Sequence, residues 1–89
     1  MVKYNPILGE IARIIEKINL NYYPLRVGYD ISIVDGEYYM AGVLTWHDGD
    51  GNVSVLDEMK TIHLKVFLNS LKELLSNLEK VLGKEKTDV

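Results

Sequence analysis

Residues 25–46 read LRVGYDISIVDGEYYMAGVLTW and predict a β-hairpin that turns at Asp35-Gly36. A two-residue Asp-Gly loop favours a type I′ turn, because both central positions need positive φ. This turn sets a register in which Ile31 faces Met40. The face predicted to be buried then carries Leu25, Val27, Tyr29, Ile31, Ile33, Tyr38, Met40, Leu44 and Trp46. A slip of one residue would turn that apolar set towards water, so the register is well specified.

Helical patterns flank the hairpin on both sides. Asn5-Pro6 predicts an N-cap followed by proline at the first helical position, and apolar residues at helical spacing continue to about residues 19–21. A long second helix is predicted over about residues 57–82, because Asp57 and Glu58 suit a helix N-terminus and leucines repeat every three or four positions.

A short third strand is predicted at residues 53–56, where apolar residues alternate again after a polar loop. In this prediction Val53 faces Trp46 and Val55 faces Leu44. Ser54 then stands three residues before Asp57, the spacing of a residue that caps the following helix.

These elements predict an α+β fold of two layers, in the order α-β-β-β-α. A three-stranded antiparallel meander carries both helices on one face, because the sheet and both helices each have one apolar side. The length of 89 residues predicts a single domain over 1–89, with 83–89 as a frayed tail. The residues predicted to be buried together are Ile11, Ile31, Leu44, Trp46, Phe67 and Leu71.

Composition narrows the class of function. The net charge of −3 argues against a nucleic-acid binder, which usually has a basic stripe, and no apolar run approaches the roughly 20 residues of a membrane-spanning helix. The N-terminus predicts a helix rather than a signal peptide, so we expect a cytoplasmic protein. Cysteine and glutamine are both absent, as in many thermophilic proteins, although six asparagines point the other way.

The polar loop after the hairpin contains candidate metal ligands. Residues 48–52, DGDGN, resemble the start of an EF-hand loop, but Val53 and Met59 stand where that loop needs glycine and a bidentate glutamate. The candidate ligands are His47, Asp48, Asp50 and His63. No close histidine spacing supports them, so we expect no metal and no cofactor, with weak cation or small-ligand binding as an alternative.

No pattern for catalysis is present in the sequence. None of the four serines lies in a nucleophile elbow, and the glycine-containing loop is acidic, which disfavours phosphate. We therefore expect a protein that is not an enzyme.

The order α-β-β-β-α resembles that of the double-stranded-RNA-binding domain over most of the chain. The resemblance implies contacts to phosphates and 2′-hydroxyls across the minor grooves of RNA. This sequence departs from the family at the Asp35-Gly36 turn, where the family has a longer loop, and at acidic residues 57–58, where the family has lysines. A nucleic-acid-associated protein is therefore the alternative function.

Two apolar surfaces are predicted to be left uncovered in one chain. The far face of the sheet carries Val34, Tyr39 and Val43, and the last turns of the long helix carry Leu75, Leu78 and Leu82. Aromatic and aliphatic side chains anchor protein interfaces. We therefore expect a small protein-interaction or regulatory domain that contacts a protein partner or itself, as a homodimer.

Overall fold

The computed structural model describes residues 5–82, which form two helices and three strands. The elements are α1 (Pro6–Asn21), β1 (Leu25–Val34), β2 (Glu37–His47), β3 (Val53–His63) and α2 (Leu64–Leu82). The strands form one antiparallel sheet in the order β1-β2-β3, with both helices on one face. The predicted α+β class and the order α-β-β-β-α are confirmed. The predicted frayed tail lies outside the described residues.

The hairpin has the predicted register throughout. β1 and β2 pair without a shift, from Leu25 opposite Trp46 to Val34 opposite Glu37. Both turn residues have positive φ, 51° at Asp35 and 80° at Gly36, as a type I′ turn requires. The Asp-Gly pair therefore determines which side chains face the helices.

α1 also begins and ends where the sequence predicts. The side chain of Asn5 accepts a hydrogen bond from the backbone N–H of Ile7 at 2.9 Å, and Pro6 occupies the first turn. The cap satisfies an N–H group that has no partner inside the helix.

The predicted boundary between the third strand and the second helix is wrong. β3 continues to His63, and α2 begins at Leu64 rather than Asp57. Ser54 therefore lies inside β3 and caps no helix. Asp57 and Glu58 lie in β3 and not at the start of α2. They therefore do not occupy the position of the lysines that begin the last helix of the RNA-binding family.

Two irregularities in β3 explain the error. The pairing with β2 shifts by one residue between Thr45 and Leu44, and again between Gly42 and Met40. The second shift places Met59 and Ile62 opposite helix-facing residues of β2, although they are three positions apart. A bulge of this kind adds one residue and resets the alternation, so the apolar spacing imitates that of a helix.

The predicted pairing of the third strand is also out of register, by one residue at Trp46 and by two at Leu44. Trp46 pairs with Ser54 rather than Val53, and Leu44 pairs with Asp57 rather than Val55. Val53 pairs with His47 instead, which leaves residues 48–52 as the loop. The strand continues because pairing gives the β2 backbone partners along its second edge.

The core lies between the helices and the middle of the sheet. Its buried residues are Ile11, Ile15, Ile18, Val27, Met40, Leu64, Phe67, Leu68 and Leu71. Three predicted members, Ile11, Phe67 and Leu71, are confirmed, and Leu44 is half-buried against the cluster.

Two predicted core residues are exposed. Ile31 is 46% exposed and Trp46 is 43% exposed. Both lie on the correct face of the sheet but away from its centre. Ile31 belongs to β1, an edge strand, and Trp46 is next to the last residue of β2, whereas their cross-strand partners Met40 and Leu25 are buried.

Candidate functional site

The polar loop between β2 and β3 is organised around the carboxylate of Asp48. Its Oδ1 accepts the backbone N–H of Asp50 at 2.8 Å and that of Asn52 at 3.0 Å. These bonds, with that from Asn52 the stronger cause, hold the pKa of Asp48 below its ordinary value. Gly51, with φ of 86°, completes the turn. This carboxylate oxygen thus closes the loop as an Asx turn does.

The two histidines are far apart. His47 pairs with Val53 at one end of the sheet, and His63 pairs with Tyr39 at the other. Eight residues of β2 separate these positions, which corresponds to about 26 Å. His47 and His63 therefore lie too far apart to bind the same metal ion. Within residues 5–82, no group of three or more acidic, histidine or cysteine side chains could hold a metal ion.

His63 instead joins β3, α2 and the start of β2. Its Nδ1 accepts the backbone N–H of Lys65 at 3.2 Å, so the ring caps the first turn of α2. Its Nε2 donates to Glu37 Oε1 at 2.7 Å, and its ring meets that of Tyr39 edge-to-face at 5.6 Å. The acceptor role of Nδ1 places the proton on Nε2. These contacts give His63 a structural role.

The far face of the sheet, away from the helices, carries the first predicted interface set. Val34 is exposed at the hairpin end, whereas Tyr39 and Val43 are half-buried by their neighbours. Tyr39 contacts His63 there, and Val43 pairs with Gly28 and Glu58. The exposed apolar area on this face is therefore smaller than the sequence predicts.

The end of α2 carries the second predicted set. Leu75 and Leu78 are half-buried against the core, and only Leu82 is exposed. Leu82 lines a shallow groove of about 260 Å³ with six residues from the other end of the sheet and its connection to α1, namely Asn21, Tyr22, Tyr23, Pro24, Leu25 and Trp46.

Sequence reasoning missed a third apolar surface, on the helix-side face of β1. Tyr29, Ile31 and Ile33 are 52%, 46% and 62% exposed at alternate positions of an edge strand. The signal was present in the sequence, because the first strand of the predicted meander has a neighbouring strand on one side only. We refer to Tyr29, Ile31 and Ile33 as the β1 edge patch.

A narrow groove runs beside this patch. Its volume is about 160 Å³, and it is lined by Leu8, Ile11, Ala12, Ile15, Tyr29, Ile31 and Met40. Sites for small organic ligands usually enclose about 300–1,000 Å³ and contain a few convergent polar groups. This groove is smaller and its lining is apolar, so it suits packing against side chains better than it suits a metabolite.

Comparison with known proteins identifies no relative: no protein-family model, no curated protein and no solved structure matches the chain. Neither α1 nor α2, the helices of the described residues, is long and apolar enough to cross a membrane.

Proposed function

We propose that this chain is a cytoplasmic, non-enzymatic interaction domain of a regulatory or accessory kind, and that it associates with itself. The proposal rests on the number of large hydrophobic side chains that remain exposed compared with the number that are buried. Thirteen large hydrophobic side chains are exposed among residues 5–82, against eleven hydrophobic residues that are buried.

The distribution of these side chains supports contact with protein. Scattered exposed apolar residues are ordinary, but contiguous ones indicate interaction surfaces. The β1 edge patch lies on one face of one strand, and Trp46 and Leu82 share a groove at the opposite end of the sheet. No polar or charged residue is buried within the described part of the chain, so the interior offers no candidate catalytic group.

Sedimentation equilibrium tests self-association directly. We expect a mass above 10.2 kDa that rises with concentration in the micromolar range. A single species of 10.2 kDa at the highest concentration would refute self-association and leave only a heterologous partner.

Charged substitutions then separate the predicted surfaces. Tyr39→Glu tests the far sheet face and Leu82→Glu tests the end of α2. Val66→Glu is the matched control, because Val66 is an exposed residue of α2 outside both groups. A variant that dissociates the assembly while retaining its circular dichroism spectrum lies in the interface. Dissociation by the control as well would indicate a general effect of charge.

A further inference from the structure

The backbone of β1 alternates between two directions. At Val27, the N–H donates to Asn19 Oδ1 at 2.8 Å and the carbonyl accepts from Asn19 Nδ2 at 3.5 Å. Asn19 belongs to α1, so both backbone groups of Val27 point away from β2. In an antiparallel ladder, alternate residues turn both groups to the same side. Because β1 and β2 pair without a shift, the backbone N–H and C=O groups of Tyr29, Ile31 and Ile33 also point away from β2.

These three residues have free backbone groups as well as exposed side chains. The amide of Asn19 takes the place of a neighbouring strand at Val27 only. Within residues 5–82, no hydrogen bond is made by the backbone of Tyr29, Ile31 or Ile33 on its outer side. A straight apolar edge of this kind is a template for another strand, and proteins commonly protect such edges with charge, proline or a bulge. Positions 29–33 contain no proline and no bulge, and their one charged residue, Asp30, turns its backbone groups towards β2 and its side chain to the far face of the sheet.

We propose that a second copy of this chain pairs with the β1 edge in antiparallel orientation, about a two-fold axis at Ile31. The result is a continuous six-stranded sheet with all four helices on one face. This inference rests on the proposed self-association and names the surface responsible.

The register follows from the positions of the outward-pointing residues. Centring on Ile31 gives three hydrogen-bonded pairs, Ile31 with its copy and Tyr29 with Ile33 of the second copy, twice. Moving the centre to residue 30 or 32 leaves two such pairs, because Val27 is already bonded to Asn19 and Asp35 lies in the turn.

Charge disfavours the register centred on residue 30. With the axis at Ile31, Asp30 stands opposite Ser32 of the second copy on the far face of the sheet. With the axis at residue 30, two Asp30 carboxylates would stand directly opposite each other, which is destabilising. The edge is therefore self-complementary in one register.

The side chains fit this arrangement. Tyr29 opposite Ile33 is an aromatic and β-branched cross-strand pair, a type that stabilises sheets. The pairing buries the β1 edge patch against its copy, next to the apolar groove beside α1. A two-fold contact uses the same surface on both subunits, as found in most homodimers.

A lysine substitution tests the surface. Ile31→Lys places two ammonium groups next to each other at the axis, and we expect the dimer dissociation constant to rise at least about tenfold. Val55→Lys is the matched control, because Val55 is a similarly exposed strand residue on the other edge of the sheet. Circular dichroism verifies that both variants are folded.

A cysteine scan tests the register, because the natural chain contains no cysteine. Three variants are compared under mild oxidation: Asp30→Cys, Ile31→Cys and Ser32→Cys. In the proposed register, residue 31 faces its own copy at about 5.5 Å between Cα atoms, within the range of a disulfide. Residues 30 and 32 lie about 8 Å from their own copies, since each is displaced by two positions along the strand. We expect Ile31→Cys to form the covalent dimer fastest on a non-reducing gel.

The outcomes are distinguishable. Fastest cross-linking at residue 30 or 32 would overturn the register. A dimer that Ile31→Lys leaves intact, or equal slow cross-linking of all three variants, would overturn pairing through β1 while self-association stands. A wild-type chain that remains monomeric in sedimentation would overturn both proposals.

Discussion

At the scale of single residues, Gly42 allows α2 to pack closely against β2. A Cβ atom built there would lie 2.8 Å from Met59 Cε and 3.0 Å from the ring of Phe67, which is fully buried. The methionine can move because its side chain is flexible, but the phenylalanine cannot. The absence of a side chain at Gly42 thus sets the distance between α2 and β2.

Gly42→Ala should therefore destabilise the protein by about 1–3 kcal/mol, the usual cost of overpacking a core. Gly28→Ala is the control on the neighbouring strand, because its Cβ would meet only Val43 Cγ1, at 3.4 Å. Urea denaturation measures both free energies of unfolding. Equal losses in the two variants would show that Phe67 does not press on Gly42.

Asp48 gives a residue-scale prediction about pH. Its pKa is lowered in the folded state by the N–H groups of Asn52 and Asp50, so the ionised form stabilises the loop. That contribution is present above the ordinary carboxyl pKa and is lost as the pH falls through the lower, folded value. An NMR titration should show Asp48 ionising at lower pH in the protein than in a peptide of residues 47–52.

Asp48→Asn is the matched variant for this prediction. The amide oxygen can still accept both N–H groups, but it does not titrate, so the part of the acid dependence of the Asn52 backbone N–H signal that comes from Asp48 should disappear. Coincident midpoints for Asp48 in the protein and the peptide would contradict the Asx turn.

At the scale of elements, α2 is held to the sheet by one buried aromatic ring. Phe67 is fully buried and lies in the core beside Leu64, Leu68 and Leu71, whereas its neighbour Val66 is exposed. The side chains of successive helical residues point about 100° apart, so one turn of α2 contains both environments.

Phe67→Ala should cost about 3–5 kcal/mol of stability, because the site cannot fully close around the lost ring. Val66→Ala should change stability by no more than about 0.5 kcal/mol, as expected at an exposed position. Thermal or chemical denaturation measures both variants. A loss below about 1 kcal/mol for Phe67→Ala would contradict the orientation of α2.

At the scale of the whole molecule, the sheet is longer than the helices that cover it. Apolar side chains remain exposed along the outer edge of β1 and in the groove that Trp46 shares with Leu82. A second copy of the chain could cover the β1 edge without any change in fold.

Self-association of the folded chain should make thermal stability depend on concentration. The melting temperature should rise as the protein is concentrated, because the dimer forms from folded chains and not from unfolded ones. The Ile31→Lys variant should show a melting temperature that is independent of concentration. A wild-type melting temperature that is constant over a hundredfold range would argue against a folded dimer.

The hairpin, its register and the first helix follow from the sequence alone. These features depend on local chemistry: positive φ at Asp35-Gly36, the Asn5 cap with Pro6, and strict alternation over β1. The candidate interface residues could also be named in part, because alternation assigns each strand residue to a face. Exposure could not be assigned in this way, as Ile31 and Trp46 demonstrate.

The boundary of β3, the ends of the core and the β1 edge patch depend on the tertiary structure. Residues 57–63 become strand because β2 offers them an unpaired edge, and the shift in pairing between Gly42 and Met40 brings Met59 and Ile62 to the same face despite their helical spacing. The exposure of Tyr29, Ile31 and Ile33 depends on the place of β1 at the edge of the sheet, and their free backbone groups on the reach of Asn19. These are long-range relations between elements, which no local pattern of residues contains.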